Sequence, residues 1–184
     1  MTLTLTLTLT LTLTPTLALT LTPALALGRY GSPFFNYGML PQTWEDPAKK
    51  GYNGTSGDND PLDVMEIGSK PFKMGEMRAV KVLGDLELID QGELDHKIIA
   101  IDASDPLAAR INSIAELKAV MPGVLDKLVE WLKMYKTTDG KGVNFLSSDT
   151  PKTATEAAAV IAECHASWKA LKARGAGDTG FWLG

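Results

Sequence analysis

Pro61 stands inside an acidic run, Gly57-Asp58-Asn59-Asp60-Pro61-Leu62-Asp63, and this run limits the fold more than any other stretch of the chain. The proline ring holds φ at about −65° and bars a helix interior, so the segment is turn or strand edge. Three carboxylates within six residues are then confined to one short piece of backbone. An extended backbone would point Asp58 and Asp60 to one side. Leu62 would turn away, and Val64, Met65 and Ile67 would run on as a strand entering a core, with Asp63 at its rim. At about 4 Å and an effective dielectric of about 20, each like-charge contact costs about 4 kcal/mol. Such acids are therefore solvated, protonated or bound to cations. All-oxygen ligation suits Mg²⁺, Mn²⁺ or Ca²⁺. An EF-hand loop fails, because counting from Asp58 it needs an oxygen ligand at Leu62, Gly at Asp63 and Glu at Ser69. Taken alone, the run is most simply a solvated turn.

The 184-residue chain reads as one domain large enough for a real core, with 45% hydrophobic and 22% charged residues. A net charge of −4 and a pI of about 5.2 speak against a general nucleic-acid binder. Cys164 is the sole cysteine, which excludes an intramolecular disulfide and a Cys-based metal site and fits a reducing compartment. Its place in an apolar helical stripe makes it a packing residue.

Residues 1–28 form a low-complexity leader in which Thr and Leu alternate, with no charged side chain before Arg29. Strict alternation is formally a strand pattern, and low complexity argues for a poorly ordered or repeat-derived start. Secretion and transit signals want basic residues that are absent, although Ala24-Leu25-Ala26 resembles a cleavage site. The stretch is too polar for a membrane span. The main domain is expected over residues 29–175, with a tail at 176–184. Short apolar runs at 62–67, 77–83, 86–89 and 97–101, separated by turns at Gly68, Gly75, Gly84 and Gly92, suggest a small antiparallel barrel. Ser113 with Glu116 predicts a capping box, Pro122 the start of a second helix, and Thr153 with Glu156 the cap of a longer one. That long helix carries Ala157, Val160, Ile161, Cys164, Trp168 and Leu171 inward, ends before Gly175, and covers the barrel. His165 lies beside the stripe and receives no function.

A second acidic group, Asp85, Glu87, Asp90, Glu93 and Asp95, precedes Lys97. A hairpin at Gly92 would fold Asp90 and Asp95 toward one point. Asp95 and Lys97, two apart on an extended segment, would share a face. A lysine beside metal-binding acids suits a phosphate-like anion. Tyr135-Lys136 ends a helix, where the lysine alone is simply favoured by the helix dipole.

The blocks Asn36-Tyr37-Gly38, Pro41-Gln42-Thr43-Trp44-Glu45-Asp46-Pro47, Gly57 to Asp63, and Asp90-x-Gly-Glu-x-Asp95-x-Lys97-Ile-Ile-Ala-Ile-Asp102 closely resemble family I soluble inorganic pyrophosphatases of the eukaryotic type. The resemblance runs from about Phe34 to Lys172. It implies a mainly β fold with α elements, a five-stranded OB-like barrel with C-terminal helices packed outside. It implies Mg²⁺-dependent hydrolysis of inorganic diphosphate to two phosphates, with several metal ions and Mn²⁺ as an alternative. Carried over by motif, Asp58, Asp63 and Asp95 would hold the tight metal, and Asp90 with Asp95 the metal arriving with substrate. Asp60 would be the general base, Tyr37 would hydrogen-bond near the nucleophile, and Lys97, Tyr135 and Lys136 would grip phosphate. The partner implied is pyrophosphate, with neither nucleic acid nor stable membrane association, in a homodimer. The implied compartment is the cytoplasm, with plastid or mitochondrion as the alternative.

This chain also departs from the family. Upstream of Asn36 the family has early barrel strands and a Lys, a Glu and an Arg that meet substrate and metal, whereas this chain has the Thr/Leu repeat. Pro33 stands where a Tyr is usual, His96 replaces an aromatic, and Gln91 takes a position that is often acidic. Two alternatives follow: a catalytically impaired or truncated relative that still binds divalent metal, and a calcium-binding interaction module.

Overall fold

The structure is a computed structural model that describes residues 7–10 and 33–174. Expectations for the rest of the leader, including Ala24-Leu25-Ala26 and Arg29, for Gly175 and for the tail lie outside the described residues. The strands are β1 (Leu7–Thr10), β2 (Asn36–Met39), β3 (Ser56–Gly57), β4 (Asp63–Glu66), β5 (Met77–Asp90), β6 (Glu93–Asp102), β7 (Phe145–Leu146) and β8 (Lys152–Thr153). The helices are α1 (Ile114–Val120), α2 (Val124–Met134) and α3 (Ala154–Ala173).

Pairing runs from β5 to β6, on to β4, to β2, to β1 and back to β5. This is an OB-like arrangement of five strands, though not a closed barrel. Its seam is weak: β1 meets β2 at a single residue pair, Thr10 with Met39, so the sheet is scarcely closed there. The ring is mixed rather than purely antiparallel, since β4 runs parallel to β6 from Asp63 beside Lys97 to Glu66 beside Ala100. That one register places the rim acid of β4 next to the lysine of β6.

Two of the expected strands, 77–83 and 86–89, are one continuous strand, β5. Gly84 lies within it rather than in a turn, at a register shift between Val82 and Gly84. Such a shift bends a long strand so that it can serve two neighbours. The Gly92 turn forms as expected. Gln91 at φ 53° and Gly92 at φ 92° make a two-residue connection between paired Asp90 and Glu93.

β6 is buried along almost its whole length, and its side chains feed two cores by alternation. Ile99 and Ile101 join Met65, Leu83, Leu86 and Leu88 beneath Leu117, Leu125, Leu128 and Leu132 of α1 and α2. Ile98 and Ala100 join Leu40, Leu62 and Val64 beneath Ala157, Ile161 and Cys164 of α3. Burial pushes the Cys164 thiol up to about 12, as suits a packing residue.

Thr153 and Glu156 form the expected capping box. At α1 the Ser113 side chain accepts from the Glu116 amide, but the Glu116 carboxylate reaches Asn112 N instead of closing the box. Pro122 does not open α2. It precedes a left-handed Gly123 at φ 78°, and the helix starts at Val124. On α3, Ser167 rather than Trp168 is fully buried, and Trp168 stacks on His165. His165 Nδ1 lies 2.7 Å from the Gln42 carbonyl.

Candidate metal and phosphate centre

The Gly57–Asp63 run folds as a turn because the Pro41–Pro47 block holds it from behind. Glu45 N donates to the Asp60 carbonyl at 2.9 Å, and Asn59 N donates to the Glu45 carbonyl at 3.0 Å. The Trp44 indole donates to Asn59 Oδ1 at 3.0 Å, and Thr43 Oγ1 accepts from Leu62 N at 3.0 Å. The two segments lie so close that a Cβ on Gly57 would come within 2.7 Å of the Glu45 backbone, so only glycine fits. The backbone between Asp58 and Asp60 is not extended. Asn59 is left-handed at φ 71°, and Asp60 N donates to Asp58 Oδ1 at 3.0 Å. Asn tolerates this conformation and the aspartate closes the turn.

Asp58 turns toward β6. One oxygen each of Glu45, Asp58 and Asp95 lie within 4.8 Å of one another. Glu45 was not among the residues assigned from sequence. Its carboxylate is pinned by His96 N, which donates to Oε1 at 3.0 Å. Burial pushes Glu45 up to about 10, with the charges of Asp58 and Asp95 adding to the effect. Asp58 rises to about 7, first through burial and then through Asp95. Burial also raises Asp95, although Lys97 pulls in the opposite direction.

Lys97, 2% exposed, joins this trio to Asp63. Its Nζ donates to Asp95 Oδ2 and Asp63 Oδ2, both at 2.5 Å, and to the Tyr37 hydroxyl at 3.0 Å. Tyr37 in turn donates to Asp63. Burial would by itself strip the lysine of its proton, but Asp95 and Asp63 outweigh it and hold its pKa well above the usual range. Burial takes the Tyr37 phenol beyond its ordinary range, so it stays protonated as a donor. Asp60 is exposed at the lip of the turn. Its pKa is raised by partial burial and by Asp63, while Lys97 lowers it.

A second set lies across the hairpin. Lys136 donates to Asp90 and sits 5.7 Å from the ring of Tyr135. Burial raises the Tyr135 phenol, and Asp90 raises Lys136 against the opposing effect of burial. The charge of Asp90 adds to the effect of burial on Asp95.

Of the residues assigned from sequence, the structure joins Tyr37, Asp63, Asp95 and Lys97 by hydrogen bonds, sets Asp58 beside Asp95, pairs Asp90 with Lys136 next to Tyr135, and leaves Asp60 exposed; it adds Glu45. Asp58 meets Asp95 and Glu45, whereas Asp63 is held by Lys97 and Tyr37. Glu45 Oε2, Asp90 Oδ1 and Asp95 Oδ1 are buried without a hydrogen-bond partner. Orphaned carboxylate oxygens are costly unless a cation takes them up. The donor set is all oxygen, which fits Mg²⁺ or Mn²⁺. A cavity of about 200 Å³, lined by Glu45, Trp44, His96, Glu87, Lys152 and Cys164, includes neither Asp58, Asp90 nor Asp95.

Residues 22–169 match the family model described as inorganic pyrophosphatase. The chain is 50% identical over 139 residues to the inorganic pyrophosphatase of Drosophila melanogaster, covering 74% of this chain and 41% of that protein. It is 44% identical over 148 residues to the mitochondrial inorganic pyrophosphatase of Saccharomyces cerevisiae, covering 77% and 48%. Among solved structures, the N-terminally truncated vacuolar soluble pyrophosphatase of Trypanosoma cruzi in complex with PPi superposes with a TM-score of 0.77 at 40% identity, over 79% of this chain and 56% of that one. The chain spans about half the length of the relatives it matches.

Proposed function

The chain belongs to the inorganic pyrophosphatase family, and from that premise we propose that it hydrolyses inorganic pyrophosphate to two phosphates with Mg²⁺, or Mn²⁺, as cofactor. One observation supports this most: buried, unpartnered carboxylate oxygens on Glu45, Asp90 and Asp95 beside two lysine–tyrosine pairs. That arrangement answers a dication and a phosphate chain together.

Asp58, Asp95 and Glu45 would hold one ion, with Asp63 and Asp90 available to others. Bound metal supplies a water of lowered pKa and offsets phosphate charge. The remaining work falls to the protein. Asp60, exposed on the turn and raised in pKa, takes the proton of the attacking water on its carboxylate. Tyr37 donates from beside Asp63 and orients the nucleophile. Lys97 and Lys136 bring fixed positive charge to the phosphates, and Tyr135 adds a hydroxyl donor. A homodimer in the cytoplasm, or in plastid or mitochondrion, completes the reading, and the yeast relative's mitochondrial name supports the last. Among the described residues no helix is long and apolar enough to cross a membrane.

Phosphate release from pyrophosphate in Mg²⁺ tests the proposal. The wild-type chain turns over, and Asp60→Asn falls by about 10²- to 10⁴-fold. Release at the blank rate in both would refute catalysis. The Thr/Leu repeat upstream of Asn36 favours a second reading, a metal-binding relative without turnover. Calorimetry would then show Mg²⁺ binding without phosphate release. A preference for Ca²⁺ would favour the interaction module.

A further inference from the structure

Two tyrosines, each with its own lysine and carboxylate, face the centre from separate parts of the chain. Tyr37, Lys97 and Asp63 come from β2, β6 and β4, and Tyr135, Lys136 and Asp90 from the end of α2 and the β5–β6 hairpin. Among the described residues the tyrosines share no hydrogen bond. They are joined through two aromatic rings. Trp131 stacks flat on Tyr135, with centroids 4.6 Å apart and planes at 6°. Phe35 packs edge-on against Trp131 at 5.1 Å and 85°, and lies 6.3 Å from the Tyr37 ring. Phe35 is 7% exposed and anchored in the core. Trp131 Nε1 is buried with no hydrogen-bond partner, so this indole is held by ring contacts rather than by its polar atom. A tryptophan whose polar atom is left unpaired is held here for its flat face.

We propose that Phe35 and Trp131 are positioning residues that set the spacing between the two Tyr–Lys–carboxylate sets, and so the length of phosphoanhydride chain the centre accepts. The inference rests on the pyrophosphatase reading above. Rigid aromatic neighbours fix a hydroxyl at low entropic cost, and a displaced gripping group loses its hold on the phosphate it meets. A loosened Tyr135–Lys136 set would first lose its grip on the far phosphate and its discrimination by length.

The test compares the full chain with Trp131→Leu, which removes the plane, and Trp131→Phe, which keeps it. KM and kcat are measured for pyrophosphate and tripolyphosphate in Mg²⁺, together with thermal midpoints. Trp131→Leu raises KM for pyrophosphate about five- to tenfold with kcat changed less than about threefold, and narrows the preference for pyrophosphate over tripolyphosphate. Trp131→Phe restores both to within about twofold. Phe35→Leu, acting from the other end of the brace beside Tyr37, raises KM in the same way and lowers kcat as well, in whichever fraction remains folded. Unchanged KM in Trp131→Leu overturns the brace, as does a fall in kcat alone or a Phe variant as impaired as the Leu variant. A wild-type chain silent toward pyrophosphate overturns the functional reading and the brace with it, and that outcome is told apart because no variant is needed to see it.

Discussion

Two groups of carboxylates with buried oxygens are treated in opposite ways. Glu66, on β4, accepts from Asn36 Nδ2 at 2.6 Å, Gly68 N at 2.7 Å and Asp102 N at 2.8 Å. Asp105 accepts from Ser69 N, Ser69 Oγ and Leu107 N, each at 2.8 Å. By contrast, Glu45, Asp90 and Asp95 each keep an oxygen with no partner. Glu66 and Asp105 tie loops together and ask nothing of solvent. Burial raises Glu66 too, but its three donors pull it back. At the centre burial raises Glu45, Asp58 and Asp95, and neighbouring carboxylates add to the effect, which stores a demand for positive charge. Burial alone thus does not mark a functional acid. Unfilled acceptor capacity separates the two groups, although Asp85, paired with His96, also keeps one oxygen without a partner.

The contrast can be broken most forcefully at Glu66. Glu66→Ala strands three donors and costs about 3 kcal/mol in urea unfolding, while Mg²⁺ affinity by calorimetry stays within about twofold. A loss of metal affinity without loss of stability would reverse the distinction. Gly57→Ala forces the acid turn off the Glu45 backbone and costs about 2 kcal/mol. Because Glu45 and Asp58 separate, it also weakens Mg²⁺ binding.

Glu45→Gln does the opposite of Glu66→Ala. It removes a carboxyl that must take up a proton to fold at pH 8, raises metal-free stability there by about 1 kcal/mol, and weakens Mg²⁺ about tenfold. The pH dependence has the same origin. Glu45 goes from 4.5 to about 10 and Asp58 from 3.8 to about 7 on folding, so the folded chain keeps protons that the unfolded chain has released. Metal-free stability therefore falls as pH rises from about 4 through 7 and beyond. Thermal midpoints decline from pH 5 to pH 8 without metal, and saturating Mg²⁺ raises the midpoint more at pH 8 than at pH 5. A metal-free midpoint that climbs over this range would refute the crowding. The smallest effect belongs to a pair in neither group. Lys49 and Glu163, with side chains 46% and 60% exposed, lose less than about 0.5 kcal/mol in Lys49→Ala.

Much of this arrangement was legible before any coordinates. Pro61 excluded a helix, Gly92 placed a hairpin, and the two-residue spacing of Asp95 and Lys97 put both on one face, as their 2.5 Å contact bears out. What escaped depended on partners far along the chain. Glu45 and Asp46 are adjacent, and nothing in their spacing says which one turns inward. The ladder from Glu45 to Asn59 and Asp60 decides it. Gly84 reads as a turn by local rules, yet the neighbours of β5 keep the strand going through it. Asn59 looked extended because alternation is the default reading of two acids flanking one residue, and the turn closed by Asp58 overrides it. Ser167 took the buried place expected of Trp168 because the stripe along α3 drifts with the packing surface.

The β5–β6 connection is only Gln91 and Gly92, with no slack on either side. Side chains alternate along a strand, so a single extra residue there would swap the faces of everything downstream on β6. Asp95 and Lys97 would exchange sides with Leu94 and His96, and the carboxylate and ammonium would enter the packed layers while leucine lined the centre. The charge order of this centre is therefore kept by parity, by an even count across a turn that contributes no side chain to the chemistry itself.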